Sequence, residues 1–176
     1  MMLSEQELLK RAVRGDEPAF TALYRLRQGA IYRFALQMTG SVELAEEVTQ
    51  ETFCSLLDAG KRYEEARGSV PSFLYGIARN LVLRRLRRPR GEPLDELAAA
   101  DDVLEELTRR ETLDRVRRAV LSLPEVYREA VVLCDLGEVS YEEAAAAMDC
   151  PVGTVRSRLN RARAMLARKL RGVCHV

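Results

Sequence analysis

The residues of this chain whose types and spacing carry chemistry are cations, hydroxyls and amides rather than nucleophiles. They concentrate between Ser140 and Leu170, which reads S-Y-E-E-A-A-A-A-M-D-C-P-V-G-T-V-R-S-R-L-N-R-A-R-A-M-L-A-R-K-L. Thr154, Arg156, Ser157, Arg158, Asn160 and Arg161 crowd its middle. Arginine presents a planar fork that bonds bidentately to guanine edges or to phosphate. Serine and asparagine add short donors and acceptors beside it. From Cys150 to Val176 the charged residues are Arg156, Arg158, Arg161, Arg163, Arg168, Lys169 and Arg171, with no acid among them. That is the equipment of a surface that grips a polyanion, not of a site that breaks bonds.

Two elements must position these groups. Ser140 followed by Glu142 and Glu143 caps a helix and places acids in its first turn. Ala144 to Met148 continue it with small residues that admit a close neighbour. Asp149-Cys150-Pro151 stops it, because proline disfavours the helical conformation of the residue before it. Gly153-Thr154 restarts the chain, with Thr154 expected as the cap of a second helix. On that helix Val155, Leu159, Ala162, Met165 and Leu166 form the buried stripe; Arg156, Ser157, Asn160, Arg161 and Arg163 fill the opposite arc, with Arg158 beside it. Two helices joined by a tight turn, the second studded with polar and basic groups, predict a helix-turn-helix reader of the DNA major groove.

Two further groups stand earlier. In the segment from Ser41 to Gly60, Leu44, Ala45, Val48, Thr52, Phe53 and Leu56 face inward, and Glu43, Glu46, Glu47, Gln50 and Glu51 face out with no positive residue along the helix to pair them. Such a face is solvated surface or a seat for a basic protein partner. In S-V-P-S-F-L-Y-G-I-A-R-N-L-V-L-R-R-L-R-R, Phe73, Leu74, Ile77, Leu81 and Val82 or Leu83 are core candidates, while Tyr75, Arg79, Asn80 and Arg84 are expected on another face. Aromatic planes beside cations suit single-stranded nucleic acid, whose bases stack while its backbone is tracked by charge.

The chain as a whole excludes several classes. Twenty-eight basic and twenty-seven acidic residues leave a net charge of only +1, so the charge is segregated rather than in excess. Arg84, Arg85, Arg87, Arg88 and Arg90 are followed by Glu92, Asp95, Glu96, Asp101, Asp102, Glu105 and Glu106, a pattern of separate partner footprints or of parts that keep each other soluble. No phosphate loop, nucleophile–base pair, cofactor motif or metal cluster is visible, so no enzyme activity is expected; Cys174-His175 offers two metal ligands and no more. Cys54, Cys134, Cys150 and Cys174 are widely spaced, and no secretory signal or membrane-spanning run occurs, which together predict reduced thiols in a cytoplasmic protein.

Nearly every segment carries helical periodicity, so the expected fold is all-α, as two small helical domains. Leu8, Leu9, Ala12 and Val13 form the face of a first helix after Ser4. A long second one begins at Glu17-Pro18, with Gly29 weakening its middle enough for a bend. Pro89, Gly91 and Pro93 mark a boundary. The expected division is residues 1–88, a linker over 89–100, and residues 101–176. The last part opens with a helix carrying Val103, Leu104, Leu107, Leu113, Val116, Val120 and Leu121. A helix burying Val126, Ala130, Val131 and Leu133 follows, closed by Gly137.

Four segments then fall in a recognisable order. E-E-V-T-Q-E-T-F (Glu46 to Phe53), S-F-L-Y-G-I-A-R-N-L (Ser72 to Leu81), L-P-E-V-Y-R-E-A-V-V-L (Leu123 to Leu133) and S-Y-E-E-A-A through V-G-T-V-R-S-R-L-N-R-A-R resemble regions 2.2, 2.3–2.4, 4.1 and 4.2 of the extracytoplasmic-function group of RNA polymerase sigma factors. The resemblance spans about Glu5 to Arg171. It departs from the family at Phe73, where tryptophan is usual, and at Arg84, where an acid is common.

The resemblance implies a transcription initiation factor. Glu43, Glu47, Val48, Gln50 and Glu51 would dock on the clamp of the largest subunit of core RNA polymerase. Arg62, Tyr63, Tyr75, Arg79, Asn80 and Arg84 would hold the single-stranded −10 element, and Thr154, Arg156, Ser157, Arg158, Asn160 and Arg161 the duplex −35 element. It also implies control by an anti-sigma factor and no membrane insertion. A stand-alone helix-turn-helix regulator accounts equally for Ser140 to Leu170, but leaves the acidic helix and the Tyr75–Arg79–Asn80 group without a use.

Overall fold

The computed structural model describes residues 3–87 and 104–171, with backbone alone for 104–109. The linker expected over 89–100, Val103, and the Cys174-His175 pair lie outside the described residues, as do the side chains of Leu104 and Leu107. What is described is all-helical. The first half comprises α1 (Glu5–Val13), α2 (Glu17–Thr39), α3 (Val42–Ala59) and α4 (Val70–Leu86). The second comprises α5 (Leu104–Leu121), α6 (Glu125–Val131), α7 (Tyr141–Met148) and α8 (Val152–Leu170).

Side-chain caps fix most of the helix starts. The Ser4 hydroxyl accepts from the Glu7 N–H at 3.2 Å, Asp16 from Ala19 at 3.0 Å, Ser41 from Leu44 at 3.2 Å, Ser69 from Ser72 at 3.3 Å and Ser140 from Glu143 at 3.2 Å. Each satisfies one of the donors a helix leaves open at its N-terminus. Replacing Ser140 with alanine is expected to cost about 1 kcal/mol, which lowers the thermal midpoint by about 2–4 °C for a chain of this size. A melt followed by circular dichroism checks it.

α8 starts differently from expectation. Its cap is Pro151, in extended backbone, whose carbonyl accepts from Thr154 at 2.9 Å and from Val155 at 3.3 Å. Thr154 is therefore inside the first turn. The helix begins as soon as the proline allows, and Gly153, expected where the chain restarts ahead of the helix, is already helical. α2 likewise runs through Gly29 without interruption and ends on Gly40, whose φ of 71° is the left-handed conformation that closes helices. After α6 a π turn spans Val132–Leu136; the left-handed residue beyond it is Glu138, at φ 53°, and not Gly137.

The first-half core gathers Leu9, Leu23, Ile31, Phe34, Met38, Val48, Phe53, Leu56 and Leu74, all buried. Phe53 meets Tyr24 edge to face, with ring centroids 4.8 Å apart. In the second half Leu123, Ala130–Leu133, Met148, Val155, Leu159 and Ala162 are buried. Not every expected core position is in it: Val126 is 42% exposed and Leu113 49% exposed, and Met165 and Leu166 are only half-covered. The burial expected of Val126 falls to Glu129, on the next turn.

The two halves are in contact. α4 lies along α7, and buried residues of both halves form one continuous apolar cluster. The small residues of α7 admit this neighbour: a Cβ on Gly76 would lie 3.6 Å from the Ala147 carbonyl oxygen, and one on Gly68 3.2 Å from the Ala146 Cβ. The Ser69 hydroxyl donates to Glu143 across the contact at 2.8 Å. The Arg128 guanidinium reaches from α6 to the Met38 carbonyl at 2.6 Å and to the carbonyls of Leu121 and Leu123 at 2.5 and 3.0 Å.

Candidate nucleic-acid interface

α8 presents Arg156, Ser157, Asn160 and Arg161 to solvent along one side, with Val155, Leu159 and Ala162 buried on the other. Thr154 and Arg158 are half-buried, so the six expected groups divide into four on the open surface and two at its margin. Arg156 lies over the Tyr141 ring at 6.0 Å from its centroid, within reach of a cation–π contact that steadies the guanidinium. The Ser157 hydroxyl donates to the Thr154 carbonyl at 3.0 Å, and Arg161 reaches the Tyr127 hydroxyl at 3.5 Å.

Arg163 is committed elsewhere. It forks onto Asp135 at 2.6 and 3.0 Å. The hydrogen bond to that carboxylate raises the arginine pKa further. The run of unopposed positives read from the sequence is thus partly neutralised by an acid twenty-eight positions away.

On α4 the expected surface is divided. Tyr75 is 7% exposed and meets Phe34 edge to face at 5.6 Å; burial raises its phenol pKa. The reason is that α4 is covered on more than one side, with α2 and α3 against one flank and α7 against another. Arg79 Nε lies 3.1 Å from Glu129 Oε2, an ion pair out of hydrogen-bond alignment, and its side chain is 18% exposed. Asn80 and Arg84 are exposed. In the preceding loop Arg62 is exposed, whereas the Tyr63 hydroxyl donates to the Gly68 carbonyl at 3.0 Å and its ring packs on Phe73 at 5.4 Å. Tyr63 braces this loop.

The acidic helix α3 holds Val48 and Phe53 beneath its surface, with Glu43, Glu47 and Gln50 exposed and Glu51 half-covered. The face is not wholly unpaired. Arg85 of α4 reaches Glu51 at 2.6 Å and Glu47 at 3.5 Å, and Arg84 lies 3.6 Å from Glu51. Pairing across two packed helices is invisible to spacing within one of them.

Glu129 is the residue sequence reasoning missed. It is 1% exposed, and burial raises its carboxyl pKa against the opposing pull of Arg79 and Arg158. Its signal was present: Val132 and Leu133, three and four positions on, are both buried and share its side of the helix.

Among the described residues no group of three or more His, Cys, Asp or Glu side chains could hold a metal, and no helix is long and apolar enough to cross a membrane. Burial pushes the Cys134 thiol up to about 11, with Asp135 adding to the shift, whereas Cys54 is exposed. At pH 8 about one Cys134 thiol in a thousand is then ionised, so iodoacetamide should label Cys54 well before Cys134, read by peptide mass.

Residues 23–92 match the family model described as Sigma-70 region 2, and residues 113–166 that described as Sigma-70, region 4. The chain is 37% identical over 169 residues to the ECF RNA polymerase sigma factor SigM of Mycobacterium tuberculosis, covering 95% of this chain and 85% of the relative. It is 34% identical over 185 residues to the ECF RNA polymerase sigma-E factor of Salmonella typhimurium, covering 96% and 95%. With SigE of Mycolicibacterium smegmatis it shares 36% over 164 residues, 86% of this chain but only 63% of that relative's length. Among solved structures, that of CnrH in complex with the cytosolic domain of CnrY superposes with a TM-score of 0.76 at 25% identity, covering 96% and 97%. The sigma factor RpoE in complex with the anti-sigma factor NepR from Bartonella quintana gives 0.69 at 25% identity, covering 86% and 96%.

Proposed function

This chain belongs to the extracytoplasmic-function RNA polymerase sigma factors, and from that premise we propose the division of labour among its helices. α3 docks on the clamp of core RNA polymerase through Glu43, Glu47, Gln50 and Glu51, with Val48 supporting the helix from below. α4 and the loop before it hold the melted −10 strand through Arg62, Tyr63, Tyr75, Arg79, Asn80 and Arg84. α8 reads duplex −35 DNA through Arg156, Ser157, Asn160 and Arg161, with Thr154 and Arg158 at the margin. The polymerase performs the chemistry; this chain supplies promoter choice and strand opening.

One observation carries the −35 assignment: four polar or cationic side chains stand in a row on an exposed helix whose other side is anchored in a helix-turn-helix. Extruding a base costs a few kcal/mol of unstacking, offset by stacking and hydrogen bonds in the receiving pocket. For the −10 group the same account requires α4 to be uncovered, since Tyr75 and Arg79 are enclosed as the halves now lie. Control by an anti-sigma factor is part of the reading. Its support is that one similar solved chain, the sigma factor RpoE of Bartonella quintana, carries the anti-sigma factor NepR, and another, CnrH, carries the cytosolic domain of CnrY.

The test is binding and strand opening on a −35/−10 promoter fragment across a salt series, with and without core polymerase. Sequence-specific opening that requires the polymerase is the expected result. Tight, specific duplex binding by the chain alone, unchanged by polymerase, would assign it instead to the stand-alone regulators.

A further inference from the structure

We propose that Glu129 is an internal competitor for nucleic acid, holding the chain in a closed state in which Arg79 is unavailable to the melted strand. This rests on the reading of Arg79 as a −10 contact. A guanidinium enclosed against a buried carboxylate cannot at the same time reach a phosphate or base edge in solvent. Arg79 Nε stands 3.1 Å from Glu129 Oε2, with the carboxylate 1% exposed and the arginine 18% exposed. The pair joins α4 of the first half to α6 of the second, so breaking it and parting the halves are one event. Arg158, at the edge of the −35 surface, also acts on the same carboxylate through its charge. A single acid therefore draws on one cation from each DNA-reading surface.

The surroundings fit a contact that is made and unmade. A buried ion pair returns little over its desolvation cost, so a stronger ligand for Arg79 can displace it. Once the halves part, Glu129 regains water and Arg79 is free to bind. The polar and close-approach parts of the contact around the pair are Gly68 and Gly76 against the alanines of α7, the Ser69–Glu143 hydrogen bond, and the Arg128 bonds to helix ends, beside the apolar cluster that the two halves share.

The experiment uses the full chain without polymerase. Small-angle scattering gives its radius of gyration, and fluorescence anisotropy gives its affinity for a short, mixed-sequence single-stranded oligodeoxynucleotide. Glu129→Ala is expected to enlarge the chain and to tighten binding about tenfold, if the open state of the native chain is about one-tenth populated. Gly76→Leu, which drives a side chain into the Ala147 backbone, is expected to enlarge it by parting the halves while both Arg79 and Glu129 are retained. The charge swap Arg79→Glu with Glu129→Arg is expected to restore compactness while binding stays weak. Native dimensions in both Glu129→Ala and Gly76→Leu, with unchanged helix content and affinity, would overturn the latch. Transcription by the native chain with core polymerase is scored separately: its failure would sink the sigma-factor reading, whereas the dimensions and the swap judge the latch alone.

Discussion

Phe53→Ala is expected to destabilise the first half by about 3–5 kcal/mol and, with it, to abolish polymerase docking near physiological temperature. Phe53 is 2% exposed and sits where α2 and α3 meet, its ring against Tyr24 at 4.8 Å and Phe20 at 6.4 Å. Removing it deletes its contacts with both α2 rings, Phe20 and Tyr24, and leaves a cavity that helices anchored at both ends cannot close. Domains of this kind hold only about 5–15 kcal/mol in total. The outer face of α3, with Glu43, Glu47 and Gln50, would be chemically intact yet no longer presented. Urea unfolding and capture of the chain by core polymerase, run in parallel, check both parts. Phe53→Leu, which keeps most of the volume, should retain docking. Native stability in Phe53→Ala would show that this ring is not the keystone of the bundle.

Arg156→Ala is expected to remove about 1–3 kcal/mol of discrimination at the −35 element, roughly 5–150-fold in relative binding of correct and altered sites. Arg156 is exposed near the start of α8, and the Tyr141 ring beneath it limits the guanidinium to a small set of poses. That pre-ordering is what a bidentate base contact needs. Tyr141→Phe keeps the ring face and should change discrimination little. Arg163→Ala provides the contrast: its fork is already spent on Asp135, so its loss should weaken binding less and alike on all sequences. Competition binding by the polymerase complex on promoter variants distinguishes the two. Equal discrimination in native chain and Arg156→Ala would remove this residue from base readout.

Much of the fold was legible because it is local. Ser4, Ser41 and Ser140 announce their helices through short hydroxyl side chains, and Gly40 and Pro151 punctuate α2 and α8 through backbone geometry. The polar side of α8 was legible for the same reason, since one helix's periodicity decides which residues stand opposite its buried stripe. The errors arise where a second element intervenes. Tyr75 is buried rather than on a wet surface: α4 read alone has two sides, whereas in the fold α2, α3 and α7 all press on it. Glu51 looked unpaired because its partners, Arg84 and Arg85, belong to a neighbouring helix. Glu129 was missed because a glutamate is assumed to seek water, and only the arrival of Arg79 from the other half makes its burial tolerable.

Arg128 gives the architecture a temporal asymmetry. Its guanidinium terminates α2 through the Met38 carbonyl and α5 through the Leu121 carbonyl, filling acceptors that a helix end leaves open and placing a cation at the negative pole of each. Met38 and Arg128 are separated by 90 positions. Because a chain is made from its N-terminus, the first bundle emerges from the ribosome with its aromatic core complete and the last turn of α2 still bonded to water. The Met38 carbonyl of that turn acquires its donor, Arg128, only when α6 has been synthesised. Maturation of the first half is thereby tied to completion of the second.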